Sequence, residues 1–318
     1  MTAWMMDPLF KEHWTGEGHP ERPARYDAAA KALDASGFTK AAQAVKSRRA
    51  TREELSLCHP LSYIDLVRHD VHAGYSVLST GDTQISERSL DVALHACGGV
   101  LNLVDAVVTK KARNGFALVR PPGHHATPDR GMGFCLFNNI AVGARFAQHK
   151  HGLERVLIVD WDVHHGNGTQ DIFYEDPSVF FFSTHQAPWY PGTGARSETG
   201  AGKGKGTTLN RPLPAGSGRE EILAAFKNDL LPAANAFRPD LVMISAGFDS
   251  RAGDPLGRFT LSDADFADLT TLMLELADKH SGGRIVSVLE GGYNLSGLAS
   301  AVAAHAQTLV QRKGVENA

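Results

Sequence analysis

The chain has 318 residues, 42% of them hydrophobic and 21% charged, which is ordinary globular composition and enough for one large α/β domain or two small ones. A net charge of −3 gives no electrostatic basis for binding nucleic acid or an anionic membrane surface. Three scattered cysteines, Cys58, Cys97 and Cys135, exclude a disulfide framework and fit a reducing cytoplasm. Residues 1–20 carry no basic-then-apolar leader, and no uncharged apolar run reaches about 18 residues, so neither secretion nor a membrane span is expected.

In chain order, a helical pattern over about 87–110 leads to an apolar strand at Phe116–Val119. A helix over about 138–150 and strands at Val156–Val159 and Val179–Phe182 follow. The glycine-rich run Gly194–Gly206 reads as a long surface loop, because strands resume beyond it. A helix over about 219–237 contains Pro232, which should kink or divide it. Strand Leu241–Ile244, a helix over about 263–280 opened by a Ser262/Asp265 capping box, and strand Ile285–Leu289 complete the pattern. Each strand is a nearly continuous apolar run, as strands covered on both faces are. The alternation predicts one α/β domain over residues 1–318, with a central, mostly parallel sheet flanked by helices on both faces.

In such sheets ligands bind beyond the carboxyl ends of the strands. The unusual residues of this chain follow the predicted strands: R-P-P-G-H-H after the first, D-W-D-V-H-H-G-N after the second, S-T-H after the third, S-A-G-F-D-S after the fourth and E-G-G-Y-N after the fifth. In extended chain, Asp160, Asp162 and His164 share one face. Crowded carboxylates repel unless a proton or cation separates them. Asp162, His164 and, from another strand end, Asp249 form a donor set that suits zinc and also ferrous iron. Helix caps and turn residues are the competing explanation for each acid taken singly; five strand ends together argue against it.

His124 and His125 follow a stiff Pro121-Pro122-Gly123 approach, and different partners would split their pKa values into an acid and a base. Tyr293 stands behind Gly291-Gly292, where a phenol can donate to a forming oxyanion. A metal, paired imidazoles and a phenol describe metal-assisted hydrolysis of an acyl group.

These motifs resemble the histone deacetylase family, within the arginase/deacetylase superfold. R-P-P-G-H-H (120–125), G-F-C-L-F-N-N (133–139), D-W-D-V-H-H-G-N-G-T (160–169), Y-P-G-T-G (190–194), S-A-G-F-D (245–249) and L-E-G-G-Y (289–293) occur in the family's order. H-P-E-R-P-A-R (19–25) and G-D-P-L-G (253–257) extend the match to about residues 5–310, and E-G-G-Y with Asn167 resembles the class II branch and its bacterial relatives. The resemblance implies a single deacetylase-type domain with its active site at the strand carboxyl ends. It implies zinc on Asp162, His164 and Asp249, His124 paired with Asp160, His125 paired with Asn167, and Tyr293 as the catalytic tyrosine. Phe134 and Tyr190 would line the acyl-lysine tunnel with Gly133 in its wall; the family's usual residue at Tyr190 is Phe. Arg25 would lie in an internal product channel, and Asp82 falls near a loop residue that holds the substrate backbone. Potassium would sit at an inner site of Asp160, Asp162, His164, Ser183 and Thr184, and at an outer one of Phe173, Asp176, Val179 and Thr207.

The polyamine-selective relative carries a glutamate where this chain has Leu256, and a neutral gate gives no advantage to a cationic amine. The expected substrate is therefore an acyl-lysine peptide or protein. An acetylpolyamine or other small acetylated amine is the alternative, and an idle metal-binding sensor or scaffold is the alternative of another class. A dinuclear arginase-type manganese site would need a second set of carboxylates. Oligomeric state is not legible.

Overall fold

The computed structural model describes residues 1–311; residues 312–318, the end of the expected domain span, lie outside the described residues. Strands β1 (Thr2–Met6), β2 (Gln43–Ala44), β3 (Asn114–Leu118), β4 (Val156–Asp160), β5 (Val179–Gln186), β6 (Thr208–Leu213), β7 (Leu241–Ala246) and β8 (Ile285–Leu289) form one sheet in the order β2-β1-β3-β8-β7-β4-β5-β6. Every pairing is parallel, so the expected mostly parallel sheet is wholly so among the described residues. The helices are α1 (Pro23–Ala35), α2 (Phe38–Ala41), α3 (Arg52–Leu55), α4 (Leu61–His72), α5 (Ser89–Val108), α6 (Asn139–His151), α7 (Asn167–Phe173), α8 (Arg219–Ala224), α9 (Leu231–Phe237), α10 (Asp263–His280) and α11 (Leu295–Gln311).

Successive residues of a strand point to opposite faces, and β3 shows which helices cover each. A Cβ on Gly115 would lie 2.5 Å from Leu103 of α5, whereas Phe116 meets the His305 ring of α11 edge-on at 5.4 Å. Helices α5 and α6 pack together on the first face, and α1, α10 and α11 on the second. An 18-residue stretch of helix α5 has a mean hydropathy of 1.4, apolar enough to cross a bilayer by composition, yet 67% of that stretch is buried, and the helix carries Asp91 and Asp105. It is the core helix of the first layer.

The four central strands run in step. Asp160 pairs with Ser245, Ser245 with Val288, and Val288 with Ala117, so β4, β7, β8 and β3 end on one level and their following loops emerge side by side. This row positions the site. Strand β5 runs further than expected, so Ser183, Thr184 and His185 lie within it and not beyond its end.

The helix expected over 219–237 is divided, as Pro232 requires: α8 passes through a π-helical turn at Ala225–Leu230 before α9. Without an N–H, Pro232 cannot continue the α-helical ladder, and the wider turn absorbs the missing bond. Sequence patterning does not mark β1, β2, β6, α1, α4 or α11. Strand β6, T-L-N-R-P-L, is at the sheet edge, where one side needs no partner and Pro212 is tolerated, so its apolar run is broken. Helix α10 begins as expected, with Ser262 and Asp265 in a reciprocal capping box. Ser262→Ala should lower stability by about 1 kcal/mol with the fold retained, read as a shift of the urea midpoint at unchanged slope.

Candidate active site

The chain leaves β4 at Asp160 and turns, which corrects the expectation of extended chain through His164. Carboxylates fold this loop. The Asp162 N–H donates to Asp160 Oδ1 (3.0 Å), the His164 N–H to Asp162 Oδ1 (2.9 Å), and the Val163 N–H to Asp249 Oδ1 (2.8 Å) from the loop after β7. Trp161, between the two acids, is fully buried against Phe226, Phe266 and His305. The apolar residue anchors the loop in the core while its neighbours face the cleft.

Asp162, His164 and Asp249 each direct a donor atom to one place, all within 4.8 Å of one another and all buried. His164 Nδ1 is 3.0 Å from Asp162 Oδ1 and 3.3 Å from Asp249 Oδ2, yet Asp249 Oδ2 has no hydrogen-bond partner. Burial, with the Asp162 charge beside it, raises the Asp249 carboxyl to about 7. A Cβ on Gly291 would lie 2.0 Å from Asp249 Oδ2 and 2.6 Å from Asp162 Oδ2, so only glycine leaves the space between the two acids open. An unpartnered buried carboxylate oxygen and two like charges in a dry site fit a divalent cation.

The two histidines have the partners expected. His124 Nδ1 is 2.9 Å from Asp160 Oδ2, and His125 Nδ1 is 2.8 Å from Asn167 Oδ1. Asn167 fixes the tautomer of His125. Its amide nitrogen faces acceptors, the His125 carbonyl and the Met132 sulfur, so its oxygen receives a proton from His125 Nδ1, and Nε2 of the neutral ring is left as the base. Burial opposes charge on His124, but Asp160 and Asp162 outweigh it and raise the ring to about 10. Burial and the charges of His124 and His164 push His125 well below the ordinary imidazole value. One ring is held charged and its neighbour neutral.

Tyr293 is buried, and burial holds its phenol proton well above the usual range, so it is a neutral donor. Its backbone N–H donates to Asp254 Oδ2 (2.7 Å), while Asp254 Oδ1 accepts from the Leu256 N–H (2.9 Å), which ties the G-D-P-L-G loop to the tyrosine. Behind the ring lies Arg25, fully buried, with its guanidinium carbon 4.8 Å from the ring centroid and hydrogen bonds to the Gly292 and Glu290 carbonyls. Glu21 accepts from Arg25 (3.0 Å) and, on both oxygens, from Arg120 (2.5 and 2.8 Å). Glu290 Oε2 accepts the N–H groups of Gly123 (2.7 Å) and His124 (3.1 Å), fixing the histidine loop to β8. Sequence reasoning missed Glu21, Arg120, Glu290 and Asp254 as supports, although each lies in a quoted motif; acids and arginines inside apolar surroundings were the available signal.

A pocket of about 310 Å³ reaches His164 of the candidate metal-binding group and is lined by Asp82, His125, Gly133, Phe134, His164, Trp189, Tyr190, Leu256 and Tyr293. Trp189, its one wall residue not foreseen, donates its indole N–H to the Leu256 carbonyl (2.8 Å). At the position expected for an inner cation, Asp160 is paired with Ser183 in the sheet, the Ser183 hydroxyl bonds His185, and the Thr184 hydroxyl is buried without a partner. At the outer one the Asp176 N–H donates to the Phe173 carbonyl and the Thr207 hydroxyl to the Asp176 carbonyl, beside the start of β5 at Val179.

A cation seat beside a neutral base and a phenol donor, at the foot of a narrow slot, is the equipment of hydrolases that polarise a carbonyl with a bound metal. Comparison with known proteins agrees. The histone deacetylase domain model matches residues 19–309. Rice (Oryza sativa subsp. japonica) chloroplastic histone deacetylase 10 is 45% identical over 303 residues, 90% of this chain and 68% of its own length. Human polyamine deacetylase HDAC10 is 43% identical over 302 residues, 91% of this chain and 44% of its own length. The solved HD domain of HDA15 superposes with a TM-score of 0.91 at 40% identity, covering 97% of this chain and 88% of that one. The chain belongs to the histone deacetylase family.

The acid behind Tyr293 has a measurable consequence. Burial alone would raise Glu21, but Arg120 and Arg25 outweigh it and bring the carboxyl from 4.5 to about 2. A depressed carboxyl contributes stability above its unfolded value, and that contribution is lost as pH falls through the folded one. Folding stability should therefore decline by roughly 3 kcal/mol from this group between about pH 4.5 and 2. Urea unfolding across that range should show a shallower decline in Glu21→Gln, which starts from a lower stability at neutral pH because two buried guanidinium groups lose their partner.

Proposed function

We propose that this chain is a zinc-dependent deacylase that hydrolyses the side-chain amide of acetyl-lysine, or a related acyl-lysine, in a peptide or protein. The observation that carries the reading is the convergence of Asp162, His164 and Asp249 with His125 and Tyr293 at the foot of one narrow pocket whose gate, Leu256, is uncharged. The three donors suit zinc, with ferrous iron second. A divalent cation held there supplies Lewis-acid polarisation and lowers the pKa of water beside it.

The chain's own groups do the rest. His125 Nε2 takes a proton from water as its oxygen adds to the amide carbonyl carbon, and Asn167 keeps that nitrogen free. The Tyr293 hydroxyl donates to the carbonyl oxygen as it gains negative charge. His124, held charged by Asp160, stabilises the same charge from behind. As the carbon–nitrogen bond breaks, His125 returns its proton to the leaving amine, which gives a carboxylic acid and a lysine side chain. Potassium at the Ser183/Thr184 and Phe173/Thr207 positions, and a reducing cytoplasm for three unpaired thiols, belong to the same reading.

A second reading, an acetylpolyamine or other small acetylated amine as substrate, is favoured by one feature: Asp82 sets an exposed carboxylate on the pocket rim. An idle metal-binding scaffold has no use for a tautomer-fixed histidine beside a buried phenol.

Tyr293→Phe should retain bound metal by elemental analysis and lose about 10²–10³ in kcat, the size of a lost oxyanion donor; undiminished turnover removes Tyr293 from the chemistry. The substrate is decided by kcat/KM of the zinc-loaded protein on an acetyl-lysine peptide and on acetylspermidine, with a chelated control. The peptide should be preferred, and Leu256→Glu should shift the ratio toward acetylspermidine. A preference for acetylspermidine in the unaltered protein overturns the substrate, and turnover undiminished by chelation overturns the metal.

A further inference from the structure

One set of side chains crosses the pocket mouth without belonging to the reacting groups. The Tyr190 hydroxyl donates to Asp82 Oδ2 at 3.0 Å, and the other oxygen of Asp82 accepts the Gly133 N–H at 2.8 Å. Gly133 and Phe134 have φ of +55° and +69°, two successive left-handed residues, and the Cys135 N–H closes onto the Met132 carbonyl at 3.0 Å. That is the pattern of a type I′ turn, which favours Asn-Gly. Phenylalanine in its second position is disfavoured, because its Cβ crowds the backbone in left-handed conformation. Such a conformation persists only where its surroundings enforce it.

The turn forms one wall of the pocket and rests on the base. Phe134 lines the pocket, and a Cβ on Gly133 would lie 2.3 Å from His125 Cδ2. Tyr190 packs edge-on against the same imidazole, with ring centroids 5.2 Å apart. Its neighbour Trp189 is bonded to the opposite rim at Leu256. Residues 189 and 190 thus tie both sides of the mouth to one segment.

We propose that Tyr190 and Asp82 form a clasp that enforces the strained Met132–Cys135 turn and so fixes the separation of the Phe134 and Tyr190 walls. They are positioning residues that confine the entering chain of an acylated amine and keep the wall seated on His125. This rests on the deacylase reading of the pocket. An exposed aspartate with one partner swings; this one is bonded from both walls, and the phenol oxygen is what completes it.

The clasp can be read without substrate or metal, because the Gly133 amide is one of its bonds and its hydrogen exchange reports local opening. In the metal-free, full-length protein, Asp82→Ala should speed Gly133 exchange by about tenfold, the effect of losing a hydrogen bond to a charged group. Tyr190→Phe, which removes one oxygen atom and keeps the ring, should speed it by about threefold or more, and the double variant should exchange no faster than Asp82→Ala. In the active enzyme each variant should raise KM for an acetyl-lysine peptide more than it lowers kcat. Wild-type exchange in Tyr190→Phe overturns the clasp, as does a double variant whose effects multiply independently. Tyr190→Phe decides the matter even where Asp82→Ala does not fold. Lack of deacetylase activity in the unaltered protein would sink the deacylase reading and leave the exchange result to judge the clasp.

Discussion

Two carboxylates fully withdrawn from water, Asp162 and Asp249, are the constraint on which the rest of the structure depends. An ionised carboxylate in a dry interior is costly unless it is hydrogen-bonded and paired. The fold meets that cost locally with backbone N–H groups from Val163, His164 and Gly291 and leaves one oxygen of Asp249 open. The same acids shape the loop after β4 and form a group that could hold a cation, and Asp160 with Asp162 holds His124 charged. Loop geometry, proton state and metal affinity thus share one electrostatic cause.

A second buried charge system stands behind the first. Glu21, Arg25 and Arg120 form a fully enclosed cluster of one acid and two guanidinium groups. Its extra positive charge lies behind Tyr293, and Arg25 is bonded to the Glu290 and Gly292 carbonyls that flank the turn into the phenol. Glu290 faces the other way and fixes the histidine loop. The loops after β3 and β8 are therefore joined by ionic and backbone bonds instead of by apolar packing, which suits a place where groups must be held to within a fraction of an ångström.

Chemistry and selectivity are separated between the foot of the pocket and its mouth. The foot supplies generic amide hydrolysis, and nothing in it distinguishes a lysine from a polyamine. The mouth carries the distinguishing features: an apolar gate at Leu256, an aromatic pair at Trp189 and Tyr190, and one exposed carboxylate, Asp82, already engaged by two protein donors. A free carboxylate attracts any cationic amine, whereas one held from both sides is better suited to setting the width of the opening.

The sequence by itself determined the strands that deliver the chemistry. Uninterrupted apolar runs ending in acids and histidines are legible because a doubly covered strand has no polar face, so any polar residue at its end is conspicuous. The pairings of His124 with Asp160 and of His125 with Asn167 came from motif resemblance and agree with the geometry. The tertiary structure alone decided the rest. The loop that turns after Asp160 is held at Val163 by Asp249, 86 residues away, the register that aligns four strand ends is set between strands, and edge strand β6 conceals itself by tolerating Arg211 and Pro212. Glu21, Arg120, Glu290 and the Tyr190–Asp82 bond escaped for a common reason. A charged or hydroxylated side chain takes its meaning from its partner, and apart from Arg25, four residues from Glu21, these partners are distant in the chain.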